Sequence, residues 1–495
     1  MTENSLNDTK IFNIFLNWTE SITIHGFPNI FRTKLKLVRF MWIIFFLISI
    51  GFCFYIISLN IISYLNFDVI TKIRVIEKDS LPFPAVTICN TNPFVTDEAF
   101  KYVSSFLQNN SIINFTTTNK LDEIFFPENF SKLYLNYNVF RYMASVLSKS
   151  NTKEFKQKFS MNFDSFFISC LFSFQPCDQK NWTWYFDSEF GNCYRFNEYQ
   201  ISNEVKKSFQ AGKFNGLMLE LFVGIPDNQS TLSLSTGAHL FINDNLVKPR
   251  IGKGFQVSPG SYSNIIIERI KNMQMPKPYS DCVDNLDTIY SFDSEYYREV
   301  FRSNLTYNQI ECLNAYIHSK IYERCKCDDM TSNLIIDNGN LCDTFEKQLC
   351  SINIRKEITT SNYKETVSKL CPLECESIRY DWKKSEGKYP SASYARDLAK
   401  SEKVIRLFEN RSNVSLEELR DNILAINIYY ETIEQTEITE NASYTWDGLI
   451  GSIGGTLGLF LGMSLLSFAD FIDLAVQIIS KQIGKNKTNI LFHKK

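Results

Sequence analysis

A run of glycines inside the last hydrophobic segment constrains this chain more than any other feature. Five glycines recur at alternating steps of three and four residues and share one face of a helix: Gly448, Gly451, Gly455, Gly458 and Gly462. No charged residue occurs from Gly448 to Ala469, which is long enough to cross a bilayer. In lipid, glycine permits close helix packing and brings backbone carbonyls to a pathway. The stripe predicts either a helix-dimerisation face on a membrane anchor or the lining of a pore.

A second apolar run, residues 40–62, lies near the amino terminus. It begins too late for a typical signal peptide and is long enough to span a membrane. Basic residues precede the first span and follow the second, so the positive-inside bias predicts cytoplasmic termini in a multi-pass plasma-membrane protein. We therefore expect a cytoplasmic segment at 1–39, a transmembrane helix at 40–62, an extracellular domain at 63–445, a second transmembrane helix at 446–480 and a cytoplasmic tail at 481–495.

Cysteines and glycosylation motifs agree with that topology. Of the 13 cysteines, only Cys53 lies in a predicted span, and the other twelve lie between the spans. An even number of cysteines in an oxidising compartment indicates a disulfide framework, whose pairing the sequence alone leaves open. The same region contains nine sequons, at Asn109, Asn114, Asn129, Asn181, Asn228, Asn304, Asn410, Asn413 and Asn441.

The composition and motifs argue against several function classes. The net charge of −2 and the lack of a basic tract argue against a nucleic-acid partner. We find no phosphate-binding loop, nucleophile elbow or zinc-protease helix, and the four histidines are scattered. Cys325-x-Cys327 has no partner cluster at zinc-finger spacing. We therefore expect neither an enzyme nor a metal site nor a cofactor.

Periodicity predicts an α+β extracellular domain. Alternating or β-branched runs predict strands at Ala85–Ile88, Leu217–Val223, His239–Ile242, Asn264–Ile267 and Ile423–Tyr430. Helical spacing predicts helices at Tyr137–Lys149, Tyr307–Tyr322 and Ala392–Phe408. Eight cysteines fall in residues 282–375, which predicts a β-sheet body with a disulfide-rich helical lobe inserted between its central and final strands.

Four motifs occur in order along nearly the whole chain. They are His25-Gly26 before the first span, Phe83–Asn90 just after it, Val257-Ser258-Pro259-Gly260, and the glycine-rich segment from Gly454 to Ser464. Together they resemble the degenerin, epithelial sodium channel and acid-sensing channel family. The resemblance implies one subunit of a trimeric, amiloride-sensitive channel for sodium and other small cations. Its partners would be sister subunits in a homo- or heterotrimer and membrane lipid.

The cysteine spacing is similar to that of the acid-sensing channels. Transfer of their connectivity implies six bridges: Cys89–Cys193, Cys170–Cys177, Cys282–Cys375, Cys312–Cys371, Cys325–Cys350 and Cys327–Cys342.

The resemblance also assigns roles in the pore. Gly462, Met463 and Ser464 correspond to the family's G-x-S selectivity filter. The remaining pore and gate positions are Gly448, Gly451, Ser452, Gly455, Gly458 and Asp470. Gly451 stands where the family requires a small side chain for closure. Asp470 and Asp473 follow the filter, where they would concentrate cations at the inner mouth or form a solvated helix end.

Four further residues resemble gating positions. His25 and Gly26 correspond to a pair that folds beneath the pore. Tyr64 and Tyr279 correspond to an aromatic contact that couples the first span to the lobe. The alternative for Tyr64 is a place in a membrane-interface belt.

The stimulus is predicted by departures from the family pattern. Val69 occupies the position of an acid-sensing histidine, and Arg74-Val75 replaces an acidic pair. Valine does not titrate, which weakens proton gating. No multibasic cleavage site lies between Asn109 and Asn181, which argues against activation by proteolysis. The termini are short, which argues against the tethers that mechanical gating usually requires. By elimination we favour the neuropeptide-gated branch, with an extracellular peptide as ligand.

Other functions stay open at this point. An acid-sensing or constitutive sodium channel of the same family is the nearest alternative. An ATP-gated trimer shares two spans and a cysteine-rich exterior, but it lacks a G-x-S filter. A non-conducting adhesion protein with two anchors would carry no current.

Overall fold

The computed structural model describes residues 16–109, 138, 141–148, 152–199, 204–224, 233, 235–249, 253–329, 340–360, 363–411 and 413–492. The chain divides into a terminal unit, Met1–Ile70 with Glu440–Lys495, and a central unit, Thr71–Thr439.

The helices follow one another in this order: α1 Phe27–Arg32, α2 Lys36–Leu65, α3 Asp97–Asn109, α4 Lys153–Gln157, α5 Phe163–Phe166, α6 Glu295–Arg302, α7 Gln309–Cys325, α8 Phe345–Thr360, α9 Tyr363–Leu370, α10 Ala392–Leu398, α11 Glu402–Leu407, α12 Leu416–Asn422, α13 Trp446–Leu461 and α14 Ser467–Phe492. Residues 16–21 and 141–148 are also helical.

The strands are β1 Val69–Glu77, β2 Leu81–Pro82, β3 Ala85–Asn90, β4 Phe167–Phe172, β5 Gln175–Pro176, β6 Trp182–Asp187, β7 Gly191–Phe196, β8 Lys207–Ser208, β9 Leu217–Phe222, β10 Ala238–Asn243, β11 Phe255–Val257, β12 Ser261–Met273, β13 Cys282–Val283, β14 Leu373–Glu374, β15 Glu376–Lys388 and β16 Ile423–Ala442.

The terminal unit is built on α2. This helix has 30 residues, and among the described residues it alone is long and apolar enough to cross a membrane. It contains the first predicted span, residues 40–62, and extends it by a few residues at each end. The second hydrophobic segment is not one continuous helix. It is divided at Gly462 into α13, with 16 residues, and α14, with 26.

Two sheets form the body of the central unit. The larger has strand order β15-β12-β16-β9-β4-β5, and β1 also pairs with β16. β12 pairs with β15 over its whole length and runs parallel to β16. The smaller sheet has the order β11-β10-β3-β7-β6. All five predicted strands are confirmed, in β3, β9, β10, β12 and β16, with β9 ending at Phe222, one residue before the predicted end. Burial alternates along much of β9 and β12, whereas β3 and residues 423–430 of β16 are buried at every position.

The predicted lobe is confirmed between β12 and β15. Helices α6 to α9 surround two small apolar clusters, one around Tyr297 and one around Ile321. The predicted helix at Tyr307–Tyr322 is observed as α7. It begins two residues later because the Asn308 side chain accepts a hydrogen bond from the backbone of Glu311 and caps the helix.

All six predicted bridges are present, and they connect the cysteine pairs that the resemblance implies. Cys89 and Cys193 lie opposite each other on β3 and β7. Cys282–Cys375 and Cys312–Cys371 lie at the base of the lobe, where β13 pairs with β14. Among the described cysteines, Cys53 alone is free, and it is buried.

The single helix predicted at Ala392–Phe408 is wrong, because the chain forms α10 and α11 with a turn between them. Leu398 and Val404 are both buried in the core of the central unit. Residues six apart point in different directions on one continuous helix. The turn brings both side chains to the same core.

The sequons differ in accessibility. The Asn181 side chain is half-buried and caps a short turn. Asn114, Asn129 and Asn228 lie outside the described residues, as does the side chain of Asn109. Exposed side chains occur at Asn304, Asn410, Asn413 and Asn441.

Candidate functional site

The candidate site begins where α13 ends. Gly462 has a φ of 64°, a left-handed conformation that favours glycine. Its N–H donates to the carbonyl of Gly458 at 3.0 Å, and the N–H of Met463 donates to that of Leu457 at 3.3 Å. The bond from left-handed Gly462 to the carbonyl four residues earlier is that of an αL motif, which terminates a helix. The G-x-S segment therefore lies outside regular helix.

A second set of hydrogen bonds starts α14. The N–H of Ser464 donates to Oγ of Ser467 at 3.0 Å, and the N–H of Ser467 donates to the carbonyl of Ser464 at 2.9 Å. Ser467 is buried, whereas Ser464 is exposed. The two serines fix a short non-helical connection between α13 and α14.

The amino-terminal segment packs on this break. The N–H of His25 donates to the carbonyl of Leu461 at 2.9 Å. A Cβ atom added to Gly462 would lie 1.3 Å from Nδ1 of His25, so the imidazole occupies the space that a side chain would fill. Gly26 has a φ of 83° and precedes α1. His25 and Gly462 are thus brought together in one unit.

Asp470 is held by the same segment. Its Oδ2 accepts hydrogen bonds from the N–H of Thr23 at 3.0 Å and from the Thr23 hydroxyl at 2.8 Å. The Thr23 hydroxyl also lies 2.8 Å from Oγ of Ser467. The Trp18 indole donates to the Asp470 carbonyl at 2.7 Å. One carboxylate oxygen of Asp470 is therefore engaged within the chain.

The glycine stripe lies on an uncovered face of α13. Leu449 and Thr456 are buried, and α13 packs along α2, where Phe52 and Phe460 stack with ring centroids 6.3 Å apart. The stripe glycines on α13 point away from the buried positions and are exposed. An added Cβ atom at Gly451 or Gly455 would meet no heavy atom within 4 Å. This face is left free for close approach of another helix or of a permeating ion.

Comparison with known proteins decides the family. The family model described as "Amiloride-sensitive sodium channel" matches residues 18–474.

The chain belongs to the amiloride-sensitive sodium channel family.

Individual relatives from this family also match nearly the whole chain. The chain is 24% identical over 496 residues to "Acid-sensing ion channel 1C" of Danio rerio, covering 97% of this chain and 87% of that protein. It is 25% identical over 493 residues to "Acid-sensing ion channel 1" of Gallus gallus, covering 95% and 86%. It is 25% identical over 471 residues to "Bile acid-sensitive ion channel" of Mus musculus, covering 92% and 85%. A solved proton-activated chloride channel aligns with a TM-score of 0.32 at 6% identity, which is too low to indicate a common fold.

The match of the sodium channel family starts at Trp18, a residue that sequence reasoning missed. Trp18, Thr23 and Ser467 all contact the predicted site residues, yet none belongs to a motif or a periodic pattern. Their position was the only signal, since Trp18 and Thr23 lie shortly before His25-Gly26 and Ser467 lies shortly after the filter.

The aromatic contact predicted for gating stays a prediction. The ring of Tyr64 lies 6.4 Å from that of Phe67 and 6.5 Å from that of Trp446, measured between centroids. Tyr279 lies in the central unit, where its N–H donates to the carbonyl of Pro276 at 3.1 Å. Trp446 begins α13, so Tyr64 is connected through its ring to the start of the second hydrophobic segment.

Two buried carboxylates of the lobe have basic partners. Asp329 lies 2.7 Å from Nη2 of Arg355 and 3.4 Å from Nη2 of Arg141. Asp328 lies 3.1 Å from Nε2 of His318. Burial raises the pKa of Asp328, and the neighbouring imidazole opposes that rise. Arg141 belongs to the helical segment 141–148, so the Asp329 pairs join that segment to the lobe.

Proposed function

We propose that this chain is one subunit of a trimeric, amiloride-blocked cation channel of the plasma membrane, permeable to sodium. Both termini are cytoplasmic, and α13 with α14 forms a second, interrupted span. The observation that carries the proposal is the helix break at Gly462–Ser464, at the end of an uncovered glycine face. A helix interrupted in this way has backbone groups available for an ion, which a packing motif does not require.

In this proposal each residue of the break has a physical role. Gly462, Met463 and Ser464 form the constriction, and three copies place their polar groups around one axis. Gly448, Gly451, Ser452, Gly455 and Gly458 line the path above it. Asp470 lies below, where Thr23 fixes its carboxylate. Met463 is large for the middle position of a filter, and Ser452 is uncharged, so we expect modest selectivity for sodium over potassium.

Accessibility to a thiol reagent tests the pore face. We expect a cationic, water-soluble methanethiosulfonate to reduce the current of Gly455→Cys and Gly458→Cys, because these positions face the path. Leu449→Cys is the matched control, since Leu449 is 6% exposed and packs away from the glycine face. Equal modification of Leu449→Cys and Gly455→Cys would refute the assigned face.

For the stimulus we propose an extracellular peptide. Val69 and the pair Arg74-Val75 replace titrating groups in β1. In the lobe, the buried carboxylate of Asp329 is paired with Arg355 and Arg141. A second candidate is acid gating, because two of the relatives are named acid-sensing channels.

One recording distinguishes peptide gating from acid gating. A step from neutral to acidic solution is applied to the expressed channel without peptide, followed by a panel of short amidated peptides at neutral pH. We expect little or no current on acidification and a current with an active peptide. A rapid, robust current on acidification alone would replace the peptide proposal by acid gating. If the Tyr64–Tyr279 contact couples the ligand to the pore, Tyr279→Ala reduces the current at saturating peptide more than it reduces surface expression.

A further inference from the structure

The central unit contains a cleft of about 400 Å³ that the proposed pore does not use. One side consists of residues 95–98, at the start of α3, and of residues in 157–165, from the end of α4 into α5. The other side consists of residues 406–409, at the end of α11, and Phe222 also lies in the lining. A cleft of this volume is in the range of small-molecule sites.

Hydrogen bonds hold the first side in place. The side-chain nitrogen of Asn192, which is buried on β7, lies 3.0 Å from the carbonyl of Gln157 and 3.2 Å from that of Ser160. The Thr96 hydroxyl donates to the carbonyl of Lys158 at 2.6 Å. A segment fixed by these bonds does not have to be ordered when a ligand binds, which lowers the entropic cost of binding.

The buried part of the lining is apolar apart from one hydroxyl group. Val95, Met161 and Phe222 are buried, and the ring of Phe222 packs on that of Phe408 with centroids 5.3 Å apart. Ser160 is 2% exposed, and its hydroxyl has no hydrogen-bond partner among the described residues. Because buried polar groups are normally hydrogen-bonded, this hydroxyl favours a polar ligand over a purely apolar one.

The charged residues of the lining are balanced between the two signs. Each side contributes one acid and one base, Glu98 with Lys158 on the first side and Glu409 with Arg406 on the second. All four side chains are exposed, and none of them has a hydrogen bond or an ion pair with another described residue. Two carboxylates and two basic groups are therefore available to a ligand.

Charges beside the lining keep this balance. The neighbouring elements carry Asp97 and Lys101 on α3, Lys153, Glu154 and Lys156 on α4, Asp164 on α5, and Glu402 and Lys403 on α11. A ligand with one charge would meet like charges as well as opposite ones. A ligand with both charges can pair with both kinds, since ammonium groups only donate hydrogen bonds and carboxylates only accept them.

We propose that this cleft binds a small zwitterion, such as a free amino acid or a dipeptide. Glu98 and Glu409 would receive its ammonium group, and Lys158 and Arg406 would donate to its carboxylate. A ligand held in this way would join α11 to the segment between α4 and α5. The proposal goes beyond the proposed channel function and does not rest on it.

Binding is tested without current, by protection of a cysteine in the full-length protein. Ser165 lies in the cleft lining and is half-buried, whereas Ser105 lies on α3 outside the lining and is exposed. The rates at which N-ethylmaleimide modifies Ser165→Cys and Ser105→Cys are compared by mass spectrometry. The probes, at equal concentration, are the zwitterion glycylglycine, the cation glycylglycinamide and the anion N-acetylglycylglycine.

We expect glycylglycine to slow modification of Ser165→Cys by at least about threefold, which corresponds to occupancy of two thirds of the clefts. The cation and the anion should protect less, and Ser105→Cys should be unaffected by all three probes.

Charge-neutralising variants then test each half of the site. With Glu98→Gln and Glu409→Gln together, the anion should protect at least as well as glycylglycine. With Lys158→Gln and Arg406→Gln together, the cation should protect at least as well as glycylglycine. Glu402→Gln with Lys403→Gln is the matched control on α11 outside the lining, and it should keep the preference for the zwitterion.

Three outcomes would overturn the proposal: no protection of Ser165→Cys by glycylglycine, equal protection of Ser105→Cys, or equal or stronger protection of Ser165→Cys by a singly charged probe in the otherwise unchanged chain. Since none of these measurements uses current, the proposed channel function would stand or fall separately.

Discussion

At the scale of single residues, the contact between His25 and Gly462 relates the amino-terminal segment to the candidate filter. His25 reaches the break only because Gly462 has no side chain, and the left-handed φ of 64° also favours glycine. The motif His25-Gly26 was predictable from the resemblance, but its contact at Gly462 was not. The two residues are far apart in sequence, and no spacing rule connects them.

We expect Gly462→Ala to abolish or strongly reduce current at normal surface expression. The new methyl group would overlap the imidazole of His25, and the left-handed backbone adds about 1–2 kcal/mol of strain. Gly51→Ala is the matched control, because a Cβ atom there meets nothing within 4 Å. In a His25→Ala background the effect of Gly462→Ala should shrink, and strict additivity of the two changes would contradict the contact.

A second residue-scale prediction concerns Asp328. Because burial raises the pKa of this carboxyl, the folded chain binds its proton more readily than the unfolded chain does. Ionised Asp328 therefore destabilises the fold at neutral pH, and this cost fades as pH falls through the folded pKa toward the unfolded value of about 3.9.

Asp328→Asn removes that titration while its side-chain oxygen can still accept from His318. The temperature of thermal unfolding of the variant should exceed that of the wild type most near neutral pH. This difference in stability should narrow on acidification. A difference independent of pH would mean that Asp328 is not the titrating group.

At the scale of elements, hydrophobic periodicity predicted the strands whose side chains are buried in the core. The strands in β3, β9, β10, β12 and β16 were predictable because their alternating or β-branched apolar side chains are largely buried. The boundary between α10 and α11 was not readable. Apolar residues at 395, 398, 404 and 408 match a helical pattern in part, and only the position of the core shows that Leu398 and Val404 need a turn between them.

The interruption between α13 and α14 was also not predictable from the sequence. A glycine in a hydrophobic segment can serve either close helix packing or helix termination, and the sequence does not distinguish the two. Gly451 and Gly462 look alike in the sequence. In the fold, Gly451 lies within a helix on an uncovered face, whereas Gly462 ends that helix.

The uncovered face gives a prediction for gating. Replacing Gly451 by Phe should produce a standing, amiloride-sensitive current without a stimulus, because the three close helices of the proposed trimer would have no room for the rings. Within one subunit a Cβ atom at this position meets nothing, so the subunit itself should fold. Ile450→Phe on the same helix is the control and should leave the channel closed. A surface-expressed Gly451→Phe channel that stays closed at rest would contradict the assigned register.

At the scale of the whole molecule, six disulfides secure a large domain between two hydrophobic segments. Their connectivity followed from the resemblance, because sequence reasoning without it leaves the pairing open. The family is shown by a match over residues 18–474, which includes both hydrophobic segments. The stimulus was not predictable in the same way, since relatives at about a quarter identity are named for different stimuli, acid and bile acid.

In the proposed function, this chain conducts cations through the Gly462–Ser464 constriction. The most direct test is the reversal potential of the ligand- or Gly451→Phe-activated current while external sodium is replaced by a large organic cation and, separately, chloride by a large anion. We expect the reversal potential to shift negative when sodium is replaced, to stay unchanged when chloride is replaced, and the inward current to be blocked by amiloride. A reversal potential that follows chloride would exclude a cation-selective pore.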